Sequence, residues 1–221
     1  MELTEKMQKK LNDGREYRNM VLEVSQPTEE NDWMVEGYAT TFDQPYHLYN
    51  TTNGGEVREQ VSQDAFLNAD MSDTIFQLNH EGTVYARMSN DTLKLNTDEH
   101  GLKVTAYLGG TTNGKNLYEE IKGGYINKMS FGFTVADDEV KADGKDYLRI
   151  IKRVSKVFDV SAVSIPANDF TAISARSHID GAIDEIEAER LRLEEEQRIQ
   201  AEKRESLAER LKALKGEKDG N

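Results

Sequence analysis

The chain has 221 residues, of which 37% are hydrophobic and 31% charged, and its formal net charge is −13. That is enough for one core-forming domain plus a polar appendage. The acidic balance disfavours phosphate backbones as the main partner. The absence of cysteine excludes disulfides, thiolate nucleophiles, iron–sulfur clusters and Cys-type zinc sites.

Residues 1–18 are polar, mixed in charge and without an apolar run, so they read as a leader rather than a secretory signal. No segment approaches the roughly 20 apolar residues that span a bilayer. From Met20 the pattern alternates, with Val21, Glu23 and Ser25 on one side and Leu22 and Val24 on the other, as in a strand. Trp33–Phe42 repeats this, with Val35, Gly37, Ala39 and Thr41 on one side. Tyr49–Glu56, rich in Asn and Gly, reads as a loop. A short helix is expected around Asp64–Leu67 with Asp64 as its cap. A strand over Thr74–Leu78 leads into Asn79-His80-Glu81-Gly82.

Val84–Met88, Thr92–Asn96 and Leu102–Leu108, separated by turn residues, read as a β-meander. A helix follows over Asn113–Lys122, with Leu117, Tyr118 and Ile121 on one face, and Gly123-Gly124 stops it. Lys128–Val135, Tyr147–Val154 and Lys156–Ser164 read as strands, the first two joined by a turn at Ala142-Asp143-Gly144-Lys145. Pro166 closes the β-rich part.

Beyond Ala175 the composition shifts. Residues 178–221 hold 13 acidic and 9 basic residues and neither an aromatic residue nor a proline. Ile179, Ile186, Leu193, Leu207 and Leu214 recur in steps of seven, Gln200 interrupts them, and the matching second seam carries Arg190, Gln197 and Arg204. With one apolar seam, the pattern favours a long solvated helix laced with i,i+4 charge pairs over a coiled coil.

Among the four histidines, His47 lies in a loop between aromatics, His100 in a turn, and His178 at the start of the charged helix. His80 stands where an apolar strand meets a loop, a common place for functional groups. In Lys128-Met129-Ser130-Phe131-Gly132-Phe133-Thr134, alternation puts Met129, Phe131 and Phe133 on a core face and Ser130, Gly132 and Thr134 on the other. Ser130 is then held on a rigid strand beside a glycine that admits an extended peptide. A serine nucleophile needs such placement and a nearby base. Pattern alone favours the plainer alternative, a small polar residue on the outer face of a strand. Asp159, inside the apolar run Val157–Ile165, is costly to bury without a partner. A histidine N–H is such a partner, and an exposed face is the equal alternative. Glu194-Glu195-Glu196 reads as a solvated helix face. No phosphate loop and no metal spacing is present.

Several of these segments, in this order, resemble the tailed-phage prohead (capsid-maturation) protease family. They are Val35-Glu36-Gly37-Tyr38-Ala39; Glu59 through Asp64-Ala65-Phe66, with Asp64 in place of a usual glycine; Leu78-Asn79-His80-Glu81; Met129-Ser130-Phe131-Gly132-Phe133; and Asp159-Val160-Ser161 through Pro166-Ala167. Tyr85-Ala86-Arg87 departs from a more usual Leu-Gly-Arg. The similarity runs from about Met20 to Ala175.

The resemblance implies an α+β fold, a small β-barrel of herpesvirus-assemblin type with surrounding helices, extended here by a charged long helix. It divides the chain into a leader (1–18), a protease domain (19–176) and a helical tail (177–221). It implies a serine endopeptidase with Ser130 as nucleophile, His80 as base and Asp159 as the acid that orients it. Oxyanion donors are looked for near Gly123-Gly124. No cofactor and no metal are expected, and neither nucleic acid nor membrane is an expected partner. Implied substrates are scaffold and major capsid protein segments and the chain itself, inside the immature capsid in the host cytoplasm, with self-association through the tail. Two rival readings are an inactive scaffold or internal capsid protein with a helical oligomerisation tail, and a β-rich binding module.

Overall fold

The computed structural model describes residues 13–21, 33–164 and 173–216. In chain order the strands are β1 (Glu16–Val21), β2 (Met34–Thr41), β3 (Tyr46–Asn50), β4 (Glu56–Val61), β5 (Ile75–Leu78), β6 (Glu81–Arg87), β7 (Leu93–Thr97), β8 (Gly101–Tyr107), β9 (Lys128–Asp143) and β10 (Asp146–Val163). The helices are α1 (Thr112–Lys122) and α2 (Ile173–Gly216), and a 3-10 turn spans Met88–Asn90. Two compact units divide the chain, Met1–Ile179 and Asp180–Asn221.

The hairpin β9–β10 is the spine of the first unit. The sequence divides β10 into two strands. The chain instead runs unbroken from Asp146 to Val163, with register shifts between Ile151 and Asp159 that let a long strand bend. The bend lets its two halves serve different neighbours. Tyr147–Ile151 pairs in parallel with β4, and Asp159–Ala162 pairs in parallel with β5. The sheet order is β1-β9-β10-β4-β3, with β5 on β10 and β6 on β5. A second sheet, β2-β8-β7, is antiparallel throughout.

The core lies on the face of β9 that the sequence assigns to it. Met129, Phe131 and Phe133 have no exposed surface and pack with Val35, Val104 and Ala106 of the second sheet and with Leu117 and Ile121 of α1. Phe131 and Phe133 stack with ring centroids 4.4 Å apart. Burial of such side chains is worth about 1.5–3 kcal/mol each.

Several expectations are corrected. The fold is mixed and mostly sheet, but among the described residues the strands do not close into a barrel. Closure needs the end strands to hydrogen-bond each other, and β1 and β3 end their sheet. The meander is broken, because the 3-10 turn and a left-handed Asp91 carry the chain from β6 in one sheet to β7 in the other. The loop at Tyr49–Glu56 shrinks to 51–55, closed by reciprocal bonds between Thr51 and Gly55, and both flanks are strands. The Asp64 segment forms turns, with Ala65 N–H to Ser62 and Leu67 N–H to Asp64, since a stretch this short does not repay helix nucleation. β1 opens at Glu16, so residues 16–18 are strand and not leader. The alternation over residues 22–25, Pro166 and the first twelve residues lie outside the described residues.

The second unit is the greater part of α2. It carries i,i+3 ion pairs, Arg190–Glu187, Arg192–Glu189 and Arg198–Glu195, and Leu191, Leu193 and Leu207 are exposed. No described helix is long and apolar enough to cross a membrane.

Candidate active site

His80 owes its position to a two-residue hairpin. Leu78 pairs with Glu81, and Asn79 and His80 between them both have positive φ, 54° and 60°. Two consecutive left-handed residues make the turn that matches strand twist, in which Asn is favourable and Gly usually follows. Histidine in that conformation is strained by roughly 1–2 kcal/mol. The surroundings hold it there. Asn79 N–H donates to the Ala162 carbonyl at 2.9 Å, and Asn79 Oδ1 accepts from the Ser164 N–H at 3.0 Å and the Ser164 hydroxyl at 3.1 Å.

Held in this way, His80 is 4% exposed, and its Nδ1 bonds Asp159 Oδ1 in a short contact. A carboxylate only accepts, so Nδ1 carries the proton and Nε2 is the nitrogen able to accept one. Asp159 is 2% exposed. It is the buried acid with a histidine partner that its apolar surroundings call for. The Tyr17 ring lies edge-on to the imidazole, centroids 4.5 Å apart. Burial, then the Asp159 charge, pushes the Tyr17 phenol well above its ordinary range, so it stays protonated.

Ser130 lies on β9, opposite Ser161 of β10 and two residues from Gly132, which is opposite Asp159. A Cβ on Gly132 would come 2.7 Å from both Asp159 Oδ2 and the Tyr17 ring. The glycine therefore makes room for the Asp159 and Tyr17 side chains on this face. Alternation puts Ser130 on that same face. The Ser130 hydroxyl is fully buried and has no hydrogen-bond partner among the described residues. One face of one sheet thus carries a hydroxyl, an imidazole and a carboxylate from neighbouring strands.

The other histidines lie elsewhere. His47 is in β3 and not in a loop, with Nε2 3.2 Å from Asn50 Oδ1. His100 packs on Tyr38 in its turn, and the exposed His178 bonds Asp138 at 3.1 Å. No group of three His, Asp or Glu side chains among the described residues is placed to hold a metal. In the Gly123-Gly124 neighbourhood, where oxyanion donors are expected, the two glycine N–H groups are already engaged. Gly123 N–H donates to the Glu119 carbonyl at 2.8 Å and Gly124 N–H to that of Ile121 at 2.9 Å, ending α1.

Sequence reasoning missed Tyr17, placed in the leader, and Ser161, whose hydroxyl donates to Asp159 Oδ1 at 3.0 Å. The i+2 spacing of Asp159 and Ser161 was the available signal for the second.

The chain belongs to the family of caudovirus prohead serine proteases, whose sequence profile matches residues 20–184, most of its length. It is similar to the prohead protease of Enterobacteria phage HK97, with 29% identity over 152 residues, 67% of this chain and 62% of that protein. The chain therefore spans less than two thirds of that relative's length. No solved structure matches it.

Proposed function

We propose that this chain is a serine endopeptidase of phage capsid maturation, with Ser130, His80 and Asp159 as its catalytic set. The observation that carries the reading is the buried His80–Asp159 bond on the sheet face that also holds the Ser130 hydroxyl, without a partner among the described residues, in a chain of this family. Ser130 Oγ attacks the scissile carbonyl while His80 Nε2 takes its proton. The tetrahedral intermediate collapses as His80 returns that proton to the leaving amine, and a water deacylates the enzyme by the same path. Asp159 holds the imidazole in the Nδ1–H tautomer and offsets the charge it gains. The chemistry requires no cofactor.

The substrates we propose are segments of scaffold and major capsid protein, cut inside the immature capsid in the host cytoplasm. Residues 19–176, with the rest of β1, form the catalytic part. The polar first residues and the charged tail are sites of self-cleavage or of attachment to scaffold. The kinship of fold with herpesvirus assemblin belongs to this proposal too. It rests on a nucleophile in a long strand and a histidine on a neighbouring hairpin, and superposition on that enzyme tests it. Ser130 has no exposed surface, so the structure corresponds to a closed state, and a substrate strand reaches the hydroxyl only after this face opens.

A fluorophosphonate probe followed by peptide mapping tests the assignment. The reading predicts modification at Ser130 and its loss in His80→Ala. Modification at another serine, or none at Ser130 under conditions where the chain cleaves its substrate, contradicts it.

A further inference from the structure

Ser161 has none of the three roles just assigned, yet it touches one of them. It is fully buried on β10, opposite Ser130 on β9 and level with Gln77 on β5. Its hydroxyl donates to Asp159 Oδ1 at 3.0 Å, and that oxygen also bonds His80 Nδ1. We propose that Ser161 is a positioning residue for the catalytic carboxylate. This rests on the triad reading above.

An aspartate side chain turns about two torsions and offers about four lone-pair directions. One bond to an imidazole fixes a line of contact but not the plane of the carboxylate. The second bond comes from a hydroxyl two residues along the same strand, facing the same way. Behind the other oxygen, the bare Cα of Gly132 leaves only enough room for Oδ2. The carboxylate is therefore held from both sides, with Oδ1 presented to the ring.

The same bond separates two serines that face each other across the hairpin. The Ser161 proton is committed to Asp159. Among the described residues the Ser130 hydroxyl has no hydrogen-bond partner, and of the two it is the one available to a base. The strand pairing thus distinguishes the nucleophile from its neighbour by what each hydroxyl already bonds.

The test uses the full chain and a peptide spanning a cleavage site mapped for the wild type. Ser161→Ala lowers kcat about 10- to 100-fold, the range of one hydrogen bond to a charged group, with KM within about 2-fold. Ser161→Thr keeps the hydroxyl and suits a strand, and it restores kcat to within about 3-fold. The low-field Nδ1–H proton resonance of His80 moves upfield in Ser161→Ala, as the carboxylate loses its second anchor, and returns in Ser161→Thr. Ser161→Cys, close in size and a weak donor, repeats the loss if the alanine variant does not fold. Unchanged kcat in Ser161→Ala overturns the proposal. So does a loss of kcat with the resonance unmoved and no rescue by threonine, which marks a packing role alone. If Ser130→Ala abolishes turnover while Ser161→Ala does not lower it, only this inference falls. If Ser130→Ala retains turnover, the triad reading itself fails.

Discussion

Glu59 and Ser130 are both completely buried polar residues of the first sheet, and their surroundings treat them in opposite ways. Glu59 on β4 lies in a saturated network. Arg18 of β1 forks onto both its oxygens, the Arg149 guanidinium of β10 reaches Oε2 at 2.8 Å, and the Tyr46 hydroxyl of β3 donates to Oε1 at 2.5 Å. Glu16 and Asp138 accept the other arms of the two arginines. The Ser130 hydroxyl has no hydrogen-bond partner among the described residues. Tyr17 and its neighbours on β1 divide the two regions, since alternation turns Tyr17 to the catalytic face and Glu16 and Arg18 to the other. A polar group whose bonding capacity is fully used holds strands together. One whose capacity is left open inside the protein costs stability, and in the proposed mechanism Ser130 uses that open capacity for chemistry.

The largest expected effect separates rate from stability at Ser130. Ser130→Ala lowers turnover by about 10,000-fold, yet raises unfolding stability by about 1 kcal/mol, because it removes an unsatisfied buried hydroxyl. Denaturant melts beside cleavage rates check this, and a destabilised alanine variant would break the comparison.

Glu59→Gln is expected to do the reverse. It leaves two buried guanidinium groups undercompensated and costs about 3–5 kcal/mol in urea unfolding, with the activity of the molecules still folded unchanged. Its pH dependence sharpens the point. Burial pushes the Glu59 carboxyl up, but Arg18 and Arg149 outweigh burial and hold it at about 2, against an ordinary 4.5. A carboxyl depressed in the folded state contributes stability that is present above its unfolded pKa and is lost as pH falls toward the folded one. Wild-type stability therefore declines between those two values, and Glu59→Gln flattens that decline in melts taken across the acid range.

Gly132→Ala tests how closely the catalytic face is packed. Its new Cβ meets Asp159 and Tyr17 at 2.7 Å, so one or both must move. The expected cost is about 1–3 kcal/mol of stability and a fall in kcat of about 10-fold or more. Wild-type kcat would mean that Asp159 does not depend on this approach.

Much of the catalytic face was legible in the sequence because alternation is a strong rule. Met129, Phe131 and Phe133 had to face inward, which set Ser130 and Gly132 on the opposite side. Asp159 needed a partner, and His80 stood at a strand end. The charge network was not legible, because its members come from separate strands. Glu16 and Arg18 sit in a polar stretch that composition alone assigns to a leader. Only the pairing of β1 with β9, together with the parallel pairing of β4 with β10, brings them to Glu59 and Arg149. The undivided β10 was hidden for a related reason. Its bulges around Lys152-Arg153 and Ser155-Lys156 fall on polar residues that look like a turn. The tail helix was readable from composition, since it depends on local charge pairs. The smallest effect is predicted there. Arg198→Ala removes its exposed pairs with Glu195 and Glu202 and shifts stability by less than about 0.5 kcal/mol, measured by thermal unfolding.

The role proposed for the Ser130 hydroxyl, which has no hydrogen-bond partner among the described residues, is to cut a polypeptide. Its most direct test is to co-express the wild-type chain, and separately Ser130→Ala, with the capsid or scaffold protein of the same phage and to read intact masses of both partners. Truncated products are expected with the wild type and full-length chains with the variant, the mass differences giving the cleavage sites. Truncation at the same sites by Ser130→Ala, or full-length chains in both cases once the capsid has assembled, would contradict it.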